Sequence, residues 1–185
     1  MKSEPPMSRR GFLRLGLFSA GVCILPQPLR ANTPDLLAPA QALSLYNLHT
    51  GESLETVYWC NGRYRPDALA GINHILRDHR SGEIHSIDLN LLDLLRSLSQ
   101  KLETRGPFHV ISGYRSHATN AMLQAQGRGV ASGSLHMEGK AIDIRHPEVH
   151  LDDLRRAAID LRAGGVGYYP ASDFAHVDVG RVRYW

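Results

Sequence analysis

Cysteine is almost missing from this chain: Cys23 and Cys60 are the two in 185 residues. Two cysteines cannot make a disulfide-stapled mini-protein. Aromatic residues are sparse at 7%, and neither sign of charge dominates, with 21 Lys and Arg against 18 Asp and Glu. No internal repeat, heptad run or low-complexity segment occurs. What is present, 43% hydrophobic residues at a mean hydropathy of -0.25, describes a soluble globular chain. Its length suits one ordinary domain whose core buries roughly two-thirds of the unfolded surface.

The net charge of +3 is not spread evenly. Residues 1–31 carry Lys2, Arg9, Arg10, Arg14 and Arg30 against Glu4 alone, which leaves residues 32–185 with a net charge of -1. A nucleic-acid binder is disfavoured by that balance and by the lack of interleaved basic and aromatic residues. The run Met7-Ser8-Arg9-Arg10-Gly11-Phe12-Leu13 is a twin-arginine pattern, followed by an apolar stretch from Leu15 to Leu25 and then Pro26, Pro28 and Ala31. This order reads as a twin-arginine signal peptide over 1–31. The apolar stretch is shorter than the ~20 residues of a spanning helix. Removal is therefore expected rather than retention as an anchor, giving a periplasmic protein without a transmembrane segment. Cys23 lies inside the signal, so the mature chain keeps only Cys60. With no internal disulfide open to it, the mature fold depends on its core or on a metal.

Residues 32–41, with Pro34 and Pro39, read as a linker, and 42–185 as the folded domain. Alternation predicts strands over Ala42–Leu48 and Leu54–Cys60, joined as a hairpin through His49-Thr50-Gly51-Glu52. Helical spacing predicts helices near Asp67–His79, from the Asp88 cap to about Thr104, over Asn120–Gln126 and over Leu151–Ala163. Further strands are predicted at Phe108–Ser112, Ala141–Arg145, Gly165–Tyr169 and Phe174–Val179. Helices packed on an antiparallel sheet, class α+β, follow from that order.

The densest set of possible ligands is Ser134-Leu135-His136-Met137-Glu138-Gly139-Lys140-Ala141-Ile142-Asp143, with His176-Val177-Asp178 on a later strand. Two imidazoles and a carboxylate make an open zinc site, since a catalytic zinc takes three protein ligands and leaves a fourth position free. Gly139 lets the backbone bend between His136 and Asp143. Strand alternation turns His176 and Asp178 to one face, away from Val177 and Val179. The remaining histidines show no such ligand pattern; His117, close to Arg115, is kept as a possible pocket residue, and Tyr168 and Tyr169 as core or pocket wall.

Ser-x-His-x-x-Gly-x-Ala-x-Asp followed by a strand histidine resembles the zinc signature of the D-Ala-D-Ala metallopeptidase group, which shares the hedgehog-like fold. The segments Asn47–Glu52, Ile111–Ser116 and Gly164–Pro170 resemble, more closely, the MepK-type murein endopeptidases. The likeness spans nearly all of 42–185. It implies zinc on His136, Asp143 and His176, and it places Arg115 opposite the scissile carbonyl or the substrate carboxylate. The general base stays open between Asp173, which keeps the family's three-residue offset from the last ligand, and Asp178, which shares the ligand's strand face. Glu138 is a weaker candidate, and Ser134 could donate a hydrogen bond to a ligand or substrate.

The implied function is an exported zinc endopeptidase that cuts peptidoglycan cross-links ending in meso-diaminopimelate, acting as a monomer. The alternatives are a D,D- or L,D-carboxypeptidase on the same fold and a wall-binding module without catalysis.

Overall fold

The computed structural model describes residues 40–127 and 129–185. The predicted signal over 1–31, with Cys23, and the greater part of the predicted linker lie outside them. The linker's last residues, Ala40 and Gln41, instead open the first strand. Among the described residues no helix is long and apolar enough to cross a membrane.

Among the described residues eight strands form one sheet: β1 (Ala40–Asn47), β2 (Ser53–Cys60), β3 (Arg63–Tyr64), β4 (Phe108–Ser112), β5 (Ala141–Arg145), β6 (Gly165–Tyr169), β7 (Phe174–Asp178) and β8 (Arg183–Tyr184). Their order is β3-β2-β1-β4-β5-β7-β6-β8. The expected β1–β2 hairpin is present, with Leu45 facing Leu54. The sheet is mixed rather than wholly antiparallel, because β1 runs parallel to β4 and β6 parallel to β8. Alternation within a strand specifies its faces and not its neighbour's direction, so these two pairings carried no local signal. The two-residue strands β3 and β8 are too short to show a period at all.

Four α-helices among the described residues complete the class α+β: α1 (Pro66–Ile75), α2 (Leu89–Lys101), α3 (His117–Ala125) and α4 (Leu151–Leu161). In α2 the leucines 91, 92, 94, 95 and 98 are all buried. Asp88 caps this helix by accepting from the Asn90 amide. Helix α1 ends earlier than its apolar spacing suggests, and beyond its Leu76 cap Asp78 Oδ1 accepts from the Arg80 amide in a turn that competes with further helix. Helix α3 starts earlier than expected, since the Ser116 hydroxyl accepts from the Thr119 amide and so caps it ahead of the apolar residues.

Helix α1 packs on β2, α2 on β1 and α4, and α4 on β6 and β7. The core face of the central strands is filled by Val110, Ile142, Ile144, Ala175 and Val177. Asp143 and His176 alternate with those residues and so emerge on the opposite face.

Candidate metal centre

Neighbouring strands deliver two of the expected ligands side by side. Strands β5 and β7 pair so that Asp143 stands opposite His176. The third arrives from a short 3-10 turn, Leu135–Glu138, which ends at Gly139 in the left-handed region, φ 66°. A side chain at Gly139 would collide with the Ser86 carbonyl, so the bend needs both the conformation and the space.

The three ligand atoms form a small triangle. His136 Nε2 lies 3.2 Å from His176 Nδ1 and 3.3 Å from Asp143 Oδ1, and His176 Nδ1 lies 2.8 Å from Asp143 Oδ1. Tetrahedral zinc with bonds near 2.0–2.1 Å needs edges of roughly 3.3 Å.

Hydrogen bonds set both imidazole tautomers. His136 Nδ1 lies 2.7 Å from the Gly113 carbonyl, which can only accept, so Nδ1 donates and Nε2 keeps its lone pair. His176 Nε2 lies 3.1 Å from Asp178 Oδ2 and donates to it, leaving the Nδ1 lone pair toward Asp143. Two lone pairs and a carboxylate oxygen then converge with no proton assigned among them. That donor set fits a divalent ion with nitrogen and oxygen preferences, zinc among them.

Carboxylates and imidazoles facing one another also favour each other's charged forms. Burial alone would raise the Asp143 carboxyl, but His136 and His176 outweigh it and hold the group well below the usual carboxylate range. Asp178 is likewise depressed, its burial outweighed by hydrogen bonds from His176, Arg183 and the amides of Gly165 and Gly180. Burial pulls the His176 imidazole down, yet the flanking carboxylates Asp143 and Asp178 raise it above its ordinary value.

Arg115 is buried, with Nη2 3.5 Å from Ser112 Oγ and 3.7 Å from Asp143 Oδ2. A register shift in β4 sets Ser112 opposite Asp143 and brings the following loop to the site. That loop is anchored from behind. The Tyr114 amide donates to the Leu76 carbonyl at 2.8 Å, and Asp78 Oδ2 accepts from the amide and hydroxyl of Ser116 at 2.9 and 2.7 Å. The Arg115 amide itself donates to the His136 carbonyl at 3.2 Å. Burial lowers the Arg115 pKa, with Asp143 opposing the shift.

The triad and Arg115 line a cleft of about 450 Å³. Part of its lining is aromatic: Tyr169 stacks on Phe174 with ring centres 4.6 Å apart, and Trp185 Nε1 donates to the Tyr169 hydroxyl at 2.8 Å. Ser134 also lines the cleft.

The two carboxylates considered for proton transfer sit differently. Asp178 is fully buried, and both its oxygens are taken by hydrogen bonds. Asp173 is exposed and its Oδ2 lies 2.6 Å from Arg145 Nη1. Neither is among the residues lining the cleft. Glu138 is exposed and paired with Lys140, His117 is exposed at the start of α3, and Tyr168 lies under the Arg155 guanidinium.

Sequence reasoning missed Arg183, Trp185 and Phe174 as parts of the cleft wall. Phe174 carried a signal, since it alternates with Ala175 and so shares the His176 face. Arg183 and Trp185 carried none that is local, as they reach the site through the parallel pairing of β8 with β6.

Comparison with known proteins agrees with this geometry. The family model described as "Peptidoglycan L,D-endopeptidase MepK", from the M15 peptidases, matches residues 37–185. The Escherichia coli K12 protein named "Peptidoglycan L,D-endopeptidase MepK" is 45% identical over 179 residues, covering 96% of this chain and 97% of that protein. A Haemophilus influenzae protein named "Probable peptidoglycan L,D-endopeptidase MepK" is 40% identical over 181 residues, covering 96% and 95%. With the His-Asp-His triangle in place and similarity running along almost the entire length, the chain belongs to the MepK peptidoglycan L,D-endopeptidase family.

Proposed function

We propose that this protein is an exported, zinc-dependent endopeptidase that hydrolyses peptide cross-links of peptidoglycan at bonds ending in meso-diaminopimelate. The observation that carries the reading is the meeting of His136 Nε2, Asp143 Oδ1 and His176 Nδ1 within 3.3 Å in the wall of an open cleft. The family description as an L,D-endopeptidase favours the diaminopimelate–diaminopimelate link over the D-Ala–diaminopimelate link.

His136, Asp143 and His176 would hold a zinc ion, which would supply Lewis-acid chemistry toward water and a scissile carbonyl. The chain's own residues do the remainder. His136 and His176 present lone pairs whose direction is held by the Gly113 carbonyl and by Asp178. Arg115, a fixed cation whose Nη2 lies 3.7 Å from Asp143 Oδ2, stabilises the negative charge that builds on the carbonyl oxygen. Asp178, sealed from solvent, orients His176. Asp173, exposed three residues before His176 and paired with Arg145 beside the cleft rather than in its lining, is the candidate that solvent reaches for taking a proton from water. The aromatic wall of Tyr169, Phe174 and Trp185 gives apolar surface to the aliphatic chain of diaminopimelate.

The triad and cleft are complete within one chain, which supports a monomer. Arg9-Arg10 ahead of an apolar stretch supports twin-arginine export to the periplasm. That route carries folded cargo and so suits a protein that binds its metal before leaving the cytoplasm.

The test is digestion of cross-linked muropeptides by the purified mature chain, with mass analysis of products. Dimers are expected to fall to monomers. Loss of one terminal amino acid with dimers intact would mean a carboxypeptidase. Equal turnover by wild type and His176→Ala would remove the metal mechanism, and a metal-free, inactive wild type would point to a wall-binding module.

A further inference from the structure

We propose that Arg183 and Trp185 form a strap holding His176 in its metal-binding tautomer and rotamer, with Arg183 a positioning residue that acts through Asp178. The inference rests on the reading of the triad as a zinc site.

Asp178 is fully buried and receives five hydrogen bonds. Oδ1 accepts from the amides of Gly165 at 2.9 Å and Gly180 at 2.8 Å and from Arg183 Nη1 at 3.1 Å. Oδ2 accepts from Arg183 Nη2 at 2.7 Å and from His176 Nε2 at 3.1 Å. The two-pronged guanidinium fixes the plane of the carboxylate as a single ammonium could not. Oδ2 is thereby aimed at His176 Nε2, and Nδ1 is left facing Asp143.

Trp185 closes the strap from the cleft side. Its ring centre is 4.9 Å from the Arg183 guanidinium and 5.3 Å from the His176 ring. Its indole nitrogen is tied to the Tyr169 hydroxyl, and its backbone amide donates to the Val166 carbonyl at 3.2 Å. A rotation of the His176 imidazole toward the cleft would have to displace this ring.

Strand β6 is cut to fit both residues. A Cβ at Gly165 would overlap Asp178 Oδ2 and come within 2.5 Å of Arg183 Nη1, and one at Gly167 would lie 2.7 Å from Trp185 Cε2. The Gly-Val-Gly spacing thus clears space for the guanidinium and the indole. A strand that only needed pairing would gain stability from side chains at both positions.

The experiment measures zinc affinity of the purified mature chain by competition with a chromophoric chelator, using zinc alone as probe, and follows folding by circular dichroism. Arg183→Met is expected to weaken zinc about 10–100-fold, the usual cost of losing a partner behind a ligand, and Arg183→Lys to recover part of it. Added to Asp178→Asn, Arg183→Met is expected to change affinity less than about 2-fold, because both act on one hydrogen bond. Wild-type affinity in folded Arg183→Met, or a full multiplicative loss in the double variant, overturns the proposal. If Arg183→Met does not fold, Trp185→Leu and Arg183→Lys decide the matter, and wild-type affinity in both overturns it. A wild type that binds no zinc would instead remove the zinc reading itself.

Discussion

Asp143 and His176 stand opposite each other on adjacent antiparallel strands, Oδ1 to Nδ1 at 2.8 Å, although 33 residues separate them in the chain. Asp143→Ala removes the one carboxylate of the triangle. It should weaken zinc by more than the ~10–100-fold that losing an outer partner costs, and abolish muropeptide cleavage. Chelation of the wild type should do the same, with zinc restoring activity. Because zinc binds the folded state, zinc at about 100 times its Kd should stabilise the wild type by roughly 2.7 kcal/mol and leave Asp143→Ala unmoved in thermal melts.

Arg115 touches the triad through Asp143 Oδ2 without belonging to the ligand triangle. Arg115→Ala should lower kcat by about 10²–10³-fold while zinc content stays near one per chain. Lysine, lacking the planar fork, should restore less than a tenth of the loss. Retained kcat in Arg115→Ala would mean that charge on the carbonyl oxygen is stabilised elsewhere.

Asp173 and Asp178 should separate by the quantity each changes. Asp178→Asn is expected to weaken zinc binding about 10–100-fold, since its target is the orientation of His176. Asp173→Asn should leave zinc affinity unchanged and lower kcat by about 10²–10⁴-fold. Chelator competition and single-turnover rates on the same preparations make the comparison.

His79 stacks on His49 with ring centres 3.9 Å apart. Burial, helped by the neighbouring His49, pushes the His79 imidazole down from 6.5 to about 4. Between those two values the unfolded chain binds the extra proton and the folded chain does not, so stability falls as pH drops from 6.5 toward 4. Screening at this partly exposed site limits the loss to on the order of 1 kcal/mol. Melting curves of His79→Gln should show that much less acid sensitivity than the wild type over this window.

Gly167 lies under the Trp185 indole, whereas Gly133, in the cleft loop, has open space where a Cβ would stand. Gly167→Ala should cost about 1–3 kcal/mol by overpacking and displace Trp185, which indole fluorescence would report. Gly133→Ala should stay within about 0.5 kcal/mol of wild type. Equal melting temperatures for the two variants would contradict the packing described for β6.

Much of the fold and the residues of the candidate triad could be read in advance, for a physical reason. Strand alternation and helical spacing are local properties. They located the β1–β2 hairpin, the leucine face of α2 and the shared face of His176 and Asp178 from the chain alone. Residue chemistry and the family resemblance singled out His136, Asp143 and His176, and the fold brings these three together.

Folding in three dimensions decided the partners. The Gly113 carbonyl selects the His136 tautomer from 23 residues away, and Asp78 fastens the Arg115 loop through Ser116, 38 residues on. The parallel pairing of β8 with β6 carries Arg183 to Asp178 and Trp185 to His176. Periodicity tells a side chain which face to take, while register and strand direction tell it whom to meet. Register is set by contacts between segments distant in the chain, so it belongs to the assembled sheet.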